Sequence, residues 1–277
     1  MPTSFRVIGS PSPASPVVLS VPHAGRDYPL SLRAALRAPF ASLAALEDRH
    51  VDAIALAARE RETLLLQEIP RAWIDLNRAE HERDPLLDEG ARPANLSAKV
   101  RAGLGIVPRR TTVAGELWRR RLGADEVEAR IAADHRPYHG ALAETLAQAR
   151  DRFGTAVLLD IHSMPPIAGG RARIVLGDRF GRAAAARFVH RMEAVLEAAD
   201  MPYAINTPYA GGHILERHGR PHDRIHAIQL EIDRSLYLDD RLDAPGPGLA
   251  TVTRLVRATI DALADEASAA GLAQAAE

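Results

Sequence analysis

Cysteine is absent from the 277 residues, lysine occurs once, at Lys99, and aromatic residues make up only 4%. Without thiols there can be no disulfide, no thiolate nucleophile and no cysteine-based metal site. A bound metal would have to be held by His, Asp and Glu, a donor set better suited to a catalytic than to a structural ion. Charge of one sign is also missing, since 35 Lys+Arg meet 36 Asp+Glu. That balance, with so few aromatic rings, argues against a nucleic-acid partner and against a membrane surface. No run of about eighteen apolar residues occurs, and no basic-then-apolar leader opens the chain, so a cytoplasmic location is expected.

What is present is apolar content of 47%, enough for one sizeable core or two small ones. No internal period and no break in composition divides the middle of the chain. The expectation is a flexible arm over residues 1–16, rich in Pro and Ser, followed by a single α/β domain over 17–277. Short apolar runs at 17–21, 63–67, 73–76, 156–161, 172–176, 203–207 and 225–232 read as strands. Helical spacing recurs at 48–60, at 113–150 with interruptions near Gly123 and Pro137, at 180–199 and at 247–270. Strands alternating with helices predict a mixed, mainly parallel sheet flanked by helices. The stretch 80–112, broken by Pro85, Gly90, Pro93, Gly103, Gly105 and Pro108, is too long for an idle connection and reads as a functional or mobile loop.

Ligands of parallel sheets sit beyond the carboxyl ends of the strands. Three predicted strands end in reactive groups: Pro22-His23-Ala24-Gly25 after the first, His162-Ser163 after 156–161, and Glu231-Ile232-Asp233 at the end of 225–232. Asp160 stands two residues before His162. Two histidines and a carboxylate so placed could form a zinc site with an open position for water, and a nearby Glu could take that water's proton. They could equally be ordinary polar residues, and spacing alone does not decide between these. Other patterns carry less. His135 and His139 lie four apart across Pro137, and His222 and His226 lead into a strand. No HExxH, GxSxG or P-loop pattern occurs, and Gly246-Pro247-Gly248 is a turn. His162 and Ser163, adjacent on a strand, should point to opposite faces and form no dyad.

Five segments in order resemble the N-formylglutamate amidohydrolase family: SVPHAGRDYP (20–29), IDLNR (74–78), RPYHGAL (136–142), LDIHSMPP (159–166), and GGHILERHG to QLEIDRSLYLD (211–239). The resemblance implies a zinc-carboxypeptidase-like (phosphorylase/hydrolase-like) α/β fold. It implies zinc, Zn2+, held by His23, His162 and an acidic residue near the start of the first long helix. Asp48 is the best match for that residue and Asp52 the alternative. It implies Glu231 as the catalytic glutamate and Asn77 with Arg78 as the grip on a substrate carboxylate. Arg136, His139, Gly211 and Gly212 are expected around the same substrate. The implied reaction converts N-formyl-L-glutamate to formate and L-glutamate, as in histidine breakdown.

The chemistry of the residues is compatible with those roles. Planar arginines suit carboxylates, and a Lewis acid suits a small amide. Two features depart from the family pattern: His213 stands where an aromatic residue is expected after the paired glycines, and the 80–112 loop differs. Both bear on which acyl amino acid fits. Two alternatives remain, another N-acyl amino acid or small peptide-like amide as substrate, and a non-catalytic ligand-binding homologue.

Overall fold

The computed structural model of the protein describes residues 4–10 and 12–274. The strands are β1 (Phe5–Ile8), β2 (Val17–Val21), β3 (Thr63–Gln67), β4 (Arg110–Thr111), β5 (Gly115–Glu116), β6 (Ala156–Met164), β7 (Ile174–Gly177), β8 (Tyr203–Ile205) and β9 (Ile225–Asp233). The α-helices are α1 (Leu30–Ala35), α2 (Val51–Ala58), α3 (Ala98–Arg101), α4 (Ala124–Arg130), α5 (Arg136–Phe153), α6 (Ala186–Ala198), α7 (His213–His218) and α8 (Leu249–Gln274). Seven strands form one sheet in the order β1-β3-β2-β6-β9-β7-β8, and β4 and β5 form a separate antiparallel pair. The sheet is mixed: β2 with β6, β6 with β9 and β7 with β8 are parallel, while β7 runs antiparallel to β9. The expected mixed, mainly parallel α/β architecture is what the chain adopts. Phe5–Ile8, inside the stretch read as an arm, is a strand of this sheet.

The chain divides into two compact units. The first lies within Met1–Arg6, Pro22–Glu47 and Leu66–Gly140, the second within Val7–Val21, Asp48–Leu65 and Ala141–Glu277. In the second unit every residue of β2, β6 and β9 is buried. Continuous burial on both faces is why AVLLDI and IHAIQL are apolar runs and not alternating patterns. Phe188, Val189, Met192 and Leu196 form the buried stripe of α6, which packs against α8, and α8 packs in turn on α2. Each such side chain contributes roughly 1.5–3 kcal/mol when taken from water. In the first unit the 80–112 stretch is folded: it holds α3, the first strand of the β4–β5 pair, and a cavity of about 330 Å³ lined in part by His81, Arg83, Arg92 and Asn95.

Two local expectations are corrected. Residues 73–76 are no strand, although Ile74, Asp75 and Leu76 are all buried. The backbone there is committed to turns and a loop contact: Trp73 N–H donates to the Pro70 carbonyl, Asp75 N–H to Ile106, and Arg78 N–H to Asp75. Pro137 does not interrupt the helix either. A π-helical turn, Ile131–His135, joins α4 to α5 without a break. Pro137 then falls in the first turn of α5, after a wide turn, where a missing N–H costs least.

His226, at the start of β9, is a structural residue. Its ring lies against Phe188 at a centroid distance of 4.5 Å, and Nδ1 accepts from the Ala185 N–H at 3.3 Å. Burial, followed by the charge of Arg187, pushes its pKa down to about 4. The folded state keeps the ring neutral, while an unfolded histidine takes up a proton near about 6.5. Its contribution is therefore full above about pH 6.5 and is lost as the pH falls toward about 4. His226→Asn keeps an acceptor near Nδ1 without a titrating group. Thermal unfolding of the variant should lose less stability than the parent over that interval. Parallel pH curves for the two proteins would contradict this account.

Candidate functional site

In the second unit the carboxyl ends of β6 and β9 set the arrangement. Their register pairs His162 with Glu231 and Asp160 with Gln229. Residues two apart on a strand share a face, so Asp160 and His162 lie together, as do Gln229 and Glu231. The Gln229 amide donates to Glu231 Oε1 at 2.8 Å. Asp160, fully buried, accepts from the Ser20 hydroxyl at 2.6 Å and faces His162 Nε2 at 2.8 Å. On the other side of the ring, His162 Nδ1 lies 3.0 Å from Asp48 Oδ2.

A neutral imidazole has one donor nitrogen, so carboxylates at both nitrogens demand either a second proton or a cation. Burial works to lower the His162 pKa. The charge of Asp160, hydrogen bonds to Asp160 and Asp48, and the charge of Glu231 outweigh burial and hold it well above the ordinary histidine range.

Asp48 lies just ahead of α2 and is buried. Its second oxygen, Oδ1, is 3.3 Å from Arg234 Nη2 and 3.4 Å from the Ser163 hydroxyl, and Arg234 Nε donates to that hydroxyl at 3.1 Å. Ser163 and His162 thus form no dyad but reach different oxygens of one carboxylate. Asp52, the alternative, sits in the first turn of α2 and is half-buried. Gly211 takes φ +105°, and a Cβ there would stand 2.5 Å from Leu215 Cδ2, so the glycine has a local steric reason. Gly212 is the N-cap of α7.

In the first unit His23, next to the end of β2, turns Nε2 to Asp75 Oδ1 at 2.8 Å. The glycine of that motif, Gly25, is required because a Cβ would fall 2.2 Å from the Ile69 carbonyl oxygen. Burial works to raise the Asp75 pKa, but the charges of Arg71, His23 and Arg78 override it and hold the carboxyl well below its usual range. Asn77 N–H donates to Asp75 Oδ1 at 2.9 Å. Arg78 is buried and anchored twice, Nε to the Leu104 carbonyl at 2.9 Å and Nη1 to the Asn77 carbonyl at 2.7 Å. His139 is fully buried and turns Nε2 to the Leu76 carbonyl at 2.9 Å. Arg136 is half-exposed, with Nη2 on Glu80 at 2.8 Å and Nη1 on Glu128 at 2.9 Å.

The described residues include histidines and carboxylates that could serve as metal ligands. His23 and His162 each carry a carboxylate on Nε2, Asp75 and Asp160, which leaves Nδ1 as the lone-pair nitrogen in the neutral ring. That is the outer partner a metal-ligating histidine needs. Sequence reasoning missed Asp75, Asp160 as a partner, Ser163 and Arg234. The Asp-x-His spacing was a visible signal for Asp160. Nothing local pointed to the others.

Histidines and carboxylates gathered at the ends of parallel strands define an α/β protein with a candidate metal-binding group. The chain belongs to the N-formylglutamate amidohydrolase family, whose model matches residues 15–238. A Pseudomonas putida protein named N-formylglutamate deformylase is 29% identical over 258 residues, covering 88% of this chain and 92% of its own. One of the same name from Pseudomonas aeruginosa is 35% identical over 141 residues, 49% of this chain, and in that match the chain spans 52% of the relative's length. The crystal structure of N-formylglutamate amidohydrolase from Ralstonia eutropha JMP134 superposes with a TM-score of 0.87 at 33% identity, covering 96% of this chain and 98% of that one. A gene product of Agrobacterium tumefaciens, 20% identical with a TM-score of 0.70 over 99% of this chain and 97% of its own, shares the fold. No helix among the described residues is long and apolar enough to cross a membrane.

The charge balance at His162 is open to direct measurement. In metal-stripped protein its imidazole should titrate well above about 6.5, the unperturbed value. A raised folded pKa adds stability that is full below about pH 6.5 and is lost as the pH rises through the folded value. Asp160→Asn removes the largest of the raising influences, so the histidine resonance should titrate at lower pH. An unchanged titration would show that Asp160 does not set the proton on this ring.

Proposed function

We propose that this chain is a zinc-dependent deformylase that hydrolyses N-formyl-L-glutamate to formate and L-glutamate, in the cytoplasm and as part of histidine breakdown. The observation that carries the reading is the pairing, in register, of Glu231 with His162 at the ends of β6 and β9, with Asp48 against His162 Nδ1. The names of the relatives support the substrate. The donor set fits zinc: two imidazoles, each backed by a buried carboxylate, and one further carboxylate in a region of excess negative charge. His23, Asp48 and His162 would hold the ion. When bound, it would polarise the formyl carbonyl and acidify the attacking water.

Glu231 acts as general base and then general acid. It takes a proton from the water as oxygen attacks the formyl carbon, then delivers it to the amide nitrogen as the C–N bond breaks. Gln229, donating to Oε1, holds the carboxylate in one orientation. Asn77 and Arg78 bind a carboxylate of the substrate, and the two anchored nitrogens of Arg78 keep its planar fork from swinging. Gly211 and Gly212 are assigned to the substrate's other side. Arg136 is assigned to recognition as well, for which its pairing with Glu80 and Glu128 would have to be exchanged.

Two measurements test the mechanism. His23→Ala or His162→Ala should remove zinc from the purified protein, read by elemental analysis, and should abolish formate release. His226→Ala should keep both. Stoichiometric zinc in either of the first two variants would remove that residue from the ligand set. Glu231→Gln keeps shape and most hydrogen bonding but not the base. It should retain zinc and bind N-formyl-L-glutamate, with kcat down at least about 10²-fold. Near-normal turnover would overturn the proposed role, and loss of zinc would make Glu231 a ligand. A panel of N-formyl and N-acetyl amino acids, ranked by kcat/KM, decides the substrate. A uniformly inactive protein with tight ligand binding would favour the non-catalytic alternative.

A further inference from the structure

Residues 73–78 of the first unit lie outside regular secondary structure, yet they carry Asp75, Asn77 and Arg78. One helical run, α4 through the π-helical turn to α5, holds them. Arg130 lies over the Trp73 ring at 3.9 Å and donates Nη1 to the Trp73 carbonyl at 3.1 Å. Asp134 accepts from the Trp73 indole N–H at 2.7 Å. His135, the last residue of the π-helical turn, and His139 are both fully buried, with ring centroids 4.3 Å apart. His135 Nε2 is 2.8 Å from the Arg78 carbonyl oxygen, and His139 Nε2 is 2.9 Å from that of Leu76. A carbonyl oxygen only accepts, so each Nε2 carries its hydrogen. The two imidazoles therefore pin the peptide units on either side of Asn77-Arg78.

We infer that His135 and His139 are positioning residues for substrate recognition: they fix the backbone of Asn77-Arg78 and through it the aim of the Arg78 guanidinium. The inference rests on the reading that Asn77 and Arg78 bind a substrate carboxylate. It assigns His139 an indirect role in place of contact with substrate. It also gives the RPYHGAL motif a purpose: the helix that starts there delivers a second N–H one turn after the first. A backbone segment without ladder hydrogen bonds would otherwise sample several conformations, and small misplacements of a binding group are costly.

The test uses full-length protein with zinc content and thermal midpoint measured for every variant. His135→Leu and His139→Leu remove the donor, whereas His135→Gln and His139→Gln place an amide N–H near the position of Nε2. Each Leu variant should raise KM for N-formyl-L-glutamate at least about tenfold, with a smaller change in kcat and unchanged zinc. Each Gln variant should recover most of that loss. If a Leu variant does not fold, His→Asn, whose shorter amide cannot reach the carbonyl, replaces it.

Arg78→Ala, alone and combined with His139→Leu, separates the inference from the reading beneath it. Arg78→Ala should raise KM at least about 30-fold. The double variant should lose little more, because the histidine acts through Arg78. Normal KM in Arg78→Ala would overturn the carboxylate reading and the inference with it. A raised KM in Arg78→Ala, with normal KM in the histidine variants or with fully additive losses, would overturn the inference alone.

Discussion

A buried carboxylate held against the Nε2 of a buried histidine is the constraint on which the rest depends. Among the described residues it is found in both units, Asp75 with His23 and Asp160 with His162. Asp75 and Asp160 are both fully buried, and a charge in that position persists only where it is paired. Leaving such a group without its partner costs about 3–5 kcal/mol, so each bond strongly favours one ring orientation. Orientation then decides chemistry. With Nε2 turned to its carboxylate, the other ring nitrogen is directed away from that carboxylate, and the strand-end position of each histidine follows from it.

The second unit concentrates negative charge near one ring. Asp48, Asp160 and Glu231 all act on His162, and Arg234 supplies a positive charge beside Asp48. The two oxygens of Asp48 are differentiated: Oδ1 has Arg234 and Ser163 as neighbours, Oδ2 has His162. Such a carboxylate is held in place by contacts other than any ion it binds. This is how preorganisation is built, with the cost of assembling like charges met during folding and not during turnover.

In the first unit, order comes from side chains more than from backbone ladders. Asp75 collects His23, Arg71 and the Asn77 N–H, while Arg78 reaches the Leu104 and Asn77 carbonyls. A helix with one wide turn supplies Arg130, Asp134, His135 and His139 to the same short segment. Irregular backbone can be as well determined as a strand when its polar groups are all accounted for. Residues 73–76 look like a strand in sequence because three of the four are apolar. They are not one, because their hydrogen bonds go elsewhere.

The sequence alone determined the α/β class, the strands at 17–21, 156–161 and 225–232, and the reactive groups at their ends. Strand burial and strand-end chemistry are local, written in runs such as AVLLDIH and IQLEID. It also determined that a metal, if bound, would meet only nitrogen and oxygen donors. The tertiary structure decided what lies far apart in the chain: that Asp48 reaches His162, that Arg234 and Ser163 share it, and that Asp75 backs His23. It decided too that Pro137 is carried within a helical run, because the π-helical turn that admits it is stabilised by contacts to residues some sixty positions earlier, at Trp73 and Arg78. Periodicity reports which face is buried. It carries no information about which distant carbonyl or carboxylate is waiting there, and that pairing is what turns a buried histidine into a functional one.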